Sequence, residues 1–283
     1  MTSFGSRLRA GLLARGPLCV GIDPHAALLR DWGLPDDASG VREFGLRVVD
    51  AAAGRVAVVK PQVSFFERFG SAGFAALEDV LAAARAAELL VIADAKRGDI
   101  GTTMDAYAAA WLTPGAPLEA DALTVSPYLG VGALASTFDL ALAHGKGVFV
   151  LAATSNPEGV ALQSARTADG SVAHAVAAVV AAHDADDDAD KTPGGWSSLG
   201  LVVGATVDLA ARGLDAPFDR TVPLLAPGFG AQGAEPADLG RIFGALAPAV
   251  IASESRSILS AGPDALAARI DARAGLYRGV LHG

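Results

Sequence analysis

The chain has one cysteine, Cys19, so an internal disulfide and a cysteine-rich metal site are both excluded, as expected for a protein kept in a reducing compartment. Positive charge is also scarce: 22 Lys and Arg stand against 31 Asp and Glu, for a formal net charge of -9. No basic field is available to gather a polyanion, so nucleic-acid binding is not expected. A small anion would need only a few local positive groups. Long apolar runs are lacking too, each being broken by Gly, Pro or charge before the ~20 residues that cross a bilayer. The amino terminus has no apolar stretch ahead of a small-residue cleavage site. Together these absences lead us to expect a cytoplasmic protein with no membrane partner.

What the chain has is core material, with 52% hydrophobic and 19% charged residues. Val/Ile/Leu-rich runs alternate with Ala-rich stretches of helical period, the pattern of parallel strands joined by crossover helices. Eight strands are predicted: Leu18 to Asp23, Arg55 to Lys60, Leu89 to Asp94, Ala120 to Ser126, Gly147 to Thr154, Leu199 to Thr206, Val222 to Pro227 and Ala249 to Ser253. Helices are predicted near 39–53, 71–87, 102–112, 130–144, 170–183, 207–213, 235–246 and 263–279. Eight such units suit an α/β fold of the closed (β/α)8 TIM-barrel type, because an open sheet of that size leaves two edges to protect. We expect a single barrel domain over 1–283, with an acidic, then Pro/Gly-rich surface insertion near 184–198. Asp184, Asp186 and Asp188 there invite a calcium-loop reading. Ala189 and Gly195 stand where that loop needs its Gly and its terminal Glu, so a solvated loop is the better reading.

Asp23, Lys60, Asp94, Ser126 and Thr154 each close a predicted strand, and in a barrel those ends meet on one face. The densest signal is Asp94-Ala-Lys96-Arg-Gly-Asp99-Ile100. Residues two apart on an extended strand project to the same side, which groups Asp94 with Lys96. Lys60 closes a second apolar strand, and Lys60, Asp94, Lys96 and Asp99 can form a chain in which each ion has an opposite neighbour. Such a chain keeps a partly desolvated lysine charged. An ammonium aimed at carbon can stabilise a carbanion and deliver a proton to it.

The run DAKRGDIG resembles the Asp-x-Lys-x-x-Asp-Ile signature of orotidine 5'-monophosphate decarboxylases, and GIDP at 21–24, VVKPQ at 58–62, ATSNPEG at 153–159, PGFGAQG at 227–233 and SESRSIL at 253–259 agree in order. The resemblance covers about 18–260. It implies decarboxylation of orotidine 5'-monophosphate to uridine 5'-monophosphate in pyrimidine biosynthesis, with no cofactor and no metal. Asp94 would lie beside the scissile carboxylate, Lys96 would protonate C6, and Lys60 would link the charged chain to the ribose. Asp23 would bind ribose, Ser155 the pyrimidine, and Gln232 and Arg256 the phosphate. A homodimer with shared sites is implied, in which Asp99, with Ile100 and Thr103 following it, enters from the partner subunit. Ser255 is a departure: the family often has Gly there, and its place beside Arg256 makes it a candidate phosphate contact.

Gly228-Phe-Gly230-Ala-Gln-Gly233 satisfies a dinucleotide fingerprint, but that motif opens the first strand-helix unit of its domain, whereas this one follows the seventh strand. A phosphate loop accounts for it better. Sugar-phosphate lyases of the same superfamily share Asp-x-Lys-x-x-Asp but act through Mg2+, and they need a carboxylate where this chain has Lys60. A silent, metabolite-sensing barrel would not need the charged chain. His25, His144, His174, His183 and His282 show no ligand spacing, and Cys19 reads as a buried strand residue.

Overall fold

The computed structural model describes residues 2–168, 170–183 and 195–282. Eight parallel strands close a barrel: β1 (Leu18–Ile22), β2 (Val58–Pro61), β3 (Leu90–Arg97), β4 (Ala122–Val125), β5 (Gly147–Ala153), β6 (Leu199–Val203), β7 (Leu224–Pro227) and β8 (Val250–Glu254). Each pairs with the next in sequence, and β8 returns to β1 in the register Leu18 to Ala252. All eight predicted strands are present, with ends moved by a few residues.

The strands sort their side chains by alternation. Cys19, Val58, Ile92, Phe149, Val202, Leu225 and Ile251 fill the barrel interior, whereas Leu18, Val20, Ile22, Val59 and Val91 face the helical layer. That layer includes α2 (Ala38–Ala52), α3 (Gly70–Ala86), α4 (Gly101–Leu112), α5 (Ala135–Ala143), α6 (Val172–His183) and α9 (Leu266–His282), with α7 (Leu209–Arg212) and α8 (Leu239–Phe243) reduced to about one turn. The helix expected at 235–246 is broken into 3-10 turns around α8, as Gly244 with φ +50 and Pro248 require.

Helix α1 (Phe4–Arg15) was not anticipated. It closes the amino-terminal end of the barrel, with Phe4, Leu8 and Leu12 entering the interior cluster and Phe4 meeting Phe149 edge-on at 6.0 Å. The expected surface insertion is corrected at its far end. Gly195 to Ser198 are buried, Ser198 accepts the amides of Gly5 and Val148 through its Oγ and backbone O, and Trp196 bridges to Thr221. These residues are therefore the lead-in to β6 beneath α1. The aspartates of the calcium-loop reading, Asp184, Asp186 and Asp188, lie outside the described residues, as does most of the insertion.

Candidate active site

At the carboxyl ends of the strands a cavity of about 490 Å3 opens, with Lys60, Asp94 and Lys96 among its lining residues. The Asp94 carboxylate receives Lys60 Nζ at 2.8 Å on Oδ2 and Lys96 Nζ at 2.6 Å on Oδ1. Thr124 of β4 adds a hydroxyl donor to Oδ1 at 3.0 Å. The Lys60 and Asp94 side chains are 8% and 10% exposed, but that of Lys96 is 44% exposed. Lys96 thus reaches from a buried pair into open cavity.

Burial by itself opposes charge on Asp94, but the adjoining Lys60 and Lys96 ammonium groups override it and hold the carboxyl well below its ordinary range. Burial likewise opposes charge on Lys60, and the Asp94 and Asp23 carboxylates override it, raising its pKa. Both groups stay ionised through neutral pH.

The backbone is bent to make this array. Lys96 has φ +50, a left-handed conformation unusual for a side chain of its size. The β3/β4 register shifts between Ala93 and Arg97, and the Lys96 amide donates to Thr124 Oγ1 at 3.0 Å. Gln62, just past β2, accepts from Lys96 Nζ at 3.2 Å and donates to the Asp94 carbonyl at 3.2 Å.

The expected ligands divide into two groups. Asp23, Ser155, Gln232, Ser255 and Arg256 all line the cavity with the charged chain, and so does Thr154. Asp23 Oδ1 and Ser255 Oγ are buried without a hydrogen-bond partner, and Arg256 forms no ion pair among the described residues. Buried polar atoms of this kind cost free energy until something pairs with them. Ser255 is fitted against Gly21, where an added Cβ would lie 2.8 Å from Ser255 Cβ.

Asp99, Ile100 and Thr103 are not brought to the cavity. Within one molecule the alternating chain runs Lys60-Asp94-Lys96, and Asp99 stands outside it. The Arg97 carbonyl accepts the Ser126 amide at 2.8 Å, Gly98 packs on Ser126, and the chain then turns outward, leaving Asp99 to accept the Ile100 amide at 2.8 Å. Ser126 is held in that turn and does not line the cavity, a correction to its expected place. In its place β4 supplies Thr124. Thr124, Gln62 and His25 were missed as site residues. His25 lines the cavity and meets Phe65 edge-on at 4.2 Å, and its place directly after Asp23-Pro24 was the available signal. Cys19 is buried in β1, and burial pushes its thiol up to about 12.

Among the described residues no group of three or more His, Cys, Asp or Glu could hold a metal ion, and no helix is long and apolar enough to cross a membrane. The profile of the orotidine 5'-phosphate decarboxylase / HUMPS family matches residues 16–270. The orotidine 5'-phosphate decarboxylase of Salinispora tropica is 56% identical over 269 residues, covering 95% of this chain and 94% of the relative. A crystal structure from Streptomyces avermitilis, provisionally assigned to the same activity, superposes with TM-score 0.92 at 51% identity, covering 100% of this chain and 97% of that one. The structure of Leishmania donovani OMP decarboxylase gives TM-score 0.71 at 30% identity over 98% and 99% of the two chains. With the family profile running through nearly the whole barrel, the chain belongs to the orotidine 5'-phosphate decarboxylase / HUMPS family.

Proposed function

We propose that this chain, as one barrel domain, decarboxylates orotidine 5'-monophosphate through a C6 carbanion that Lys96 protonates. The chain is a carboxy-lyase of its family, akin to relatives at 49–56% identity that carry the decarboxylase name. The observation that carries the mechanism is the Lys60-Asp94-Lys96 array at the floor of a cavity in which Asp23 Oδ1 and Ser255 Oγ are left open.

In this reading the C6–carboxylate bond breaks heterolytically, CO2 departs, and the electron pair stays on C6 beside the Lys96 ammonium. One N–H proton of Lys96 then moves to C6, giving uridine 5'-monophosphate and a neutral amine that solvent reprotonates. Asp94 crowds the substrate carboxylate and disfavours the ground state, while the preorganised charge of Lys96 favours the carbanion; the second effect carries the larger share. Asp23 and Lys60 hold the ribose, Ser155 the pyrimidine, and Gln232, Ser255 and Arg256 the phosphate. Lysine at position 60, where the Mg2+-dependent sugar-phosphate enzymes need a carboxylate, favours the nucleotide over a sugar phosphate.

The working unit in this reading is a homodimer, with Asp99, Ile100 and Thr103 completing the partner's cavity. Ile100, Tyr128 and Leu129 are 61%, 76% and 54% exposed around that segment, an apolar surface fit for a second copy. The lone, unpaired Cys19 supports a reducing setting such as the cytoplasm.

The test is loss of orotidine 5'-monophosphate absorbance with purified protein after exhaustive EDTA treatment. Full activity is expected. No consumption sinks the proposal, and a loss restored by Mg2+ shifts it to the sugar-phosphate chemistry.

A further inference from the structure

We propose that Glu254, acting through Arg273, is a positioning residue that fixes the two phosphate-binding segments relative to each other. The inference rests on reading Gln232 and Arg256 as phosphate ligands. Glu254 ends β8, directly before Ser255 and Arg256, yet its side chain is 0% exposed and does not line the cavity. Its carboxylate accepts from Arg273 Nη2 at 2.7 Å, Arg273 Nε at 3.0 Å, Tyr277 Oη at 2.7 Å and Ser257 Oγ at 2.6 Å. Three elements thus converge on one buried anion: the end of β8, the turn after it, and α9.

The same guanidinium reaches the other segment. Arg273 Nη1 donates to Glu235 Oε2 at 3.1 Å, and Glu235 follows the Gly228–Ala234 turn that carries Gln232. The turn is also seated directly on the first segment. Gly230, at φ +68, lies so close that a Cβ there would stand 2.4 Å from Ser257 Oγ and 2.8 Å from Glu254 Oε2. Separation and tilt of Gln232 and Arg256 are therefore set by a contact behind them, with no atom of Glu254 or Arg273 in the cavity.

Stability alone gives a poor account of such a group. A well-packed apolar residue would avoid desolvating a carboxylate, and buried ion pairs often add no net stability. What the ion pair adds is direction, because two carboxylate oxygens and a planar guanidinium accept few relative orientations. Burial and the neighbouring carboxylate raise the Tyr277 phenol far above its ordinary value, so it remains a donor throughout.

The test separates phosphate from nucleoside. Competition against turnover gives inhibition constants for uridine 5'-monophosphate and for uridine with the wild-type protein and with Glu254→Gln, Tyr277→Phe and Arg256→Ala. Glu254→Gln keeps the shape and removes the charge. It is expected to weaken the nucleotide roughly tenfold while leaving uridine within roughly twofold, and to raise KM for substrate more than it lowers kcat. Tyr277→Phe, which deletes one donor, should shift the same ratio in the same direction by a smaller factor, and it reads the proposal if Glu254→Gln does not fold. Equal weakening of nucleotide and nucleoside, or no weakening of either, overturns the inference. If Arg256→Ala selectively loses the nucleotide and neither of the other variants does, only the positioning role falls. If Arg256→Ala also spares the nucleotide, the phosphate assignment falls with it.

Discussion

The two ends of the barrel carry similar charges to opposite purpose. At the amino-terminal end Arg7 meets Asp121 at 2.6 Å and donates to the Gly145 carbonyl at 3.0 Å. Asp121 also accepts the Val91 amide at 2.9 Å, and Lys146 meets Glu119 at 2.6 Å. The charged groups named there are satisfied by the chain itself, beneath the apolar plug of α1. At the carboxyl end Asp94 is as well satisfied, but Asp23 Oδ1 and Ser255 Oγ are buried with nothing to bind, and Lys96 projects into open space. At one end the named charges are paired, and at the other two buried polar oxygens are left unpaired. Ion pairing alone does not distinguish the ends; the leftover valence does.

Four substitutions would break or sharpen this contrast. Lys96→Ala should have the largest effect, a loss of turnover of about 10^4-fold or more, because in the proposed mechanism it removes both the proton donor and the charge facing C6. Uridine 5'-monophosphate should still bind, measured by calorimetry, since the proposed ribose and phosphate contacts lie on other strands. Near-normal turnover would assign the proton to another group.

Next, Lys96→Ala and Asp99→Ala proteins, each inactive alone, should regain activity when unfolded and refolded together. Random pairing makes half of the dimers mixed, so about a quarter of all sites recover native composition. No recovery, with mixed dimers demonstrated, would confine Asp99 to its own chain.

Arg256→Ala should raise KM for orotidine 5'-monophosphate by about 10- to 100-fold, as expected for a lost charge-assisted contact. Steady-state kinetics that left KM unchanged would remove Arg256 from the site.

The smallest kinetic effect belongs to the closed end. Asp121→Asn should lower stability by about 1–3 kcal/mol in denaturant titration while leaving KM and kcat at wild-type values. A kinetic defect without a stability loss would erase the contrast between the two ends.

The contrast also explains what was legible in the sequence. Strands read clearly because each is a short apolar run, and Asp94 with Lys96 read clearly because their two-residue spacing has one meaning on a strand. Helix α1 was missed although Phe4, Leu8 and Leu12 recur every four residues, because Arg7, Arg9 and Arg15 mask the apolar face in a composition-led reading. Thr124 lies inside the run of β4 and resembles an ordinary strand threonine until the register shift in β3 brings it under Asp94. Ser126 was misplaced for the same reason, since an irregular register cannot be counted from residue spacing. Asp99 lies outside the cavity of its own chain, and under the proposed dimer its place depends on a partner about which the period of one chain contains no information.

The left-handed backbone at Lys96 has a consequence for anyone recombining this barrel with a relative. Position 96 is one at which conformational ease and chemical competence pull apart: glycine would relax the bend and silence the amine, while lysine keeps the amine at the expense of the bend. The segment from Ala93 to Arg97, where the ladder slips, and Thr124, which catches the slipped amide, form a single inheritable unit. A chimera cut between them would carry a lysine of the right identity on a chain of the wrong phase.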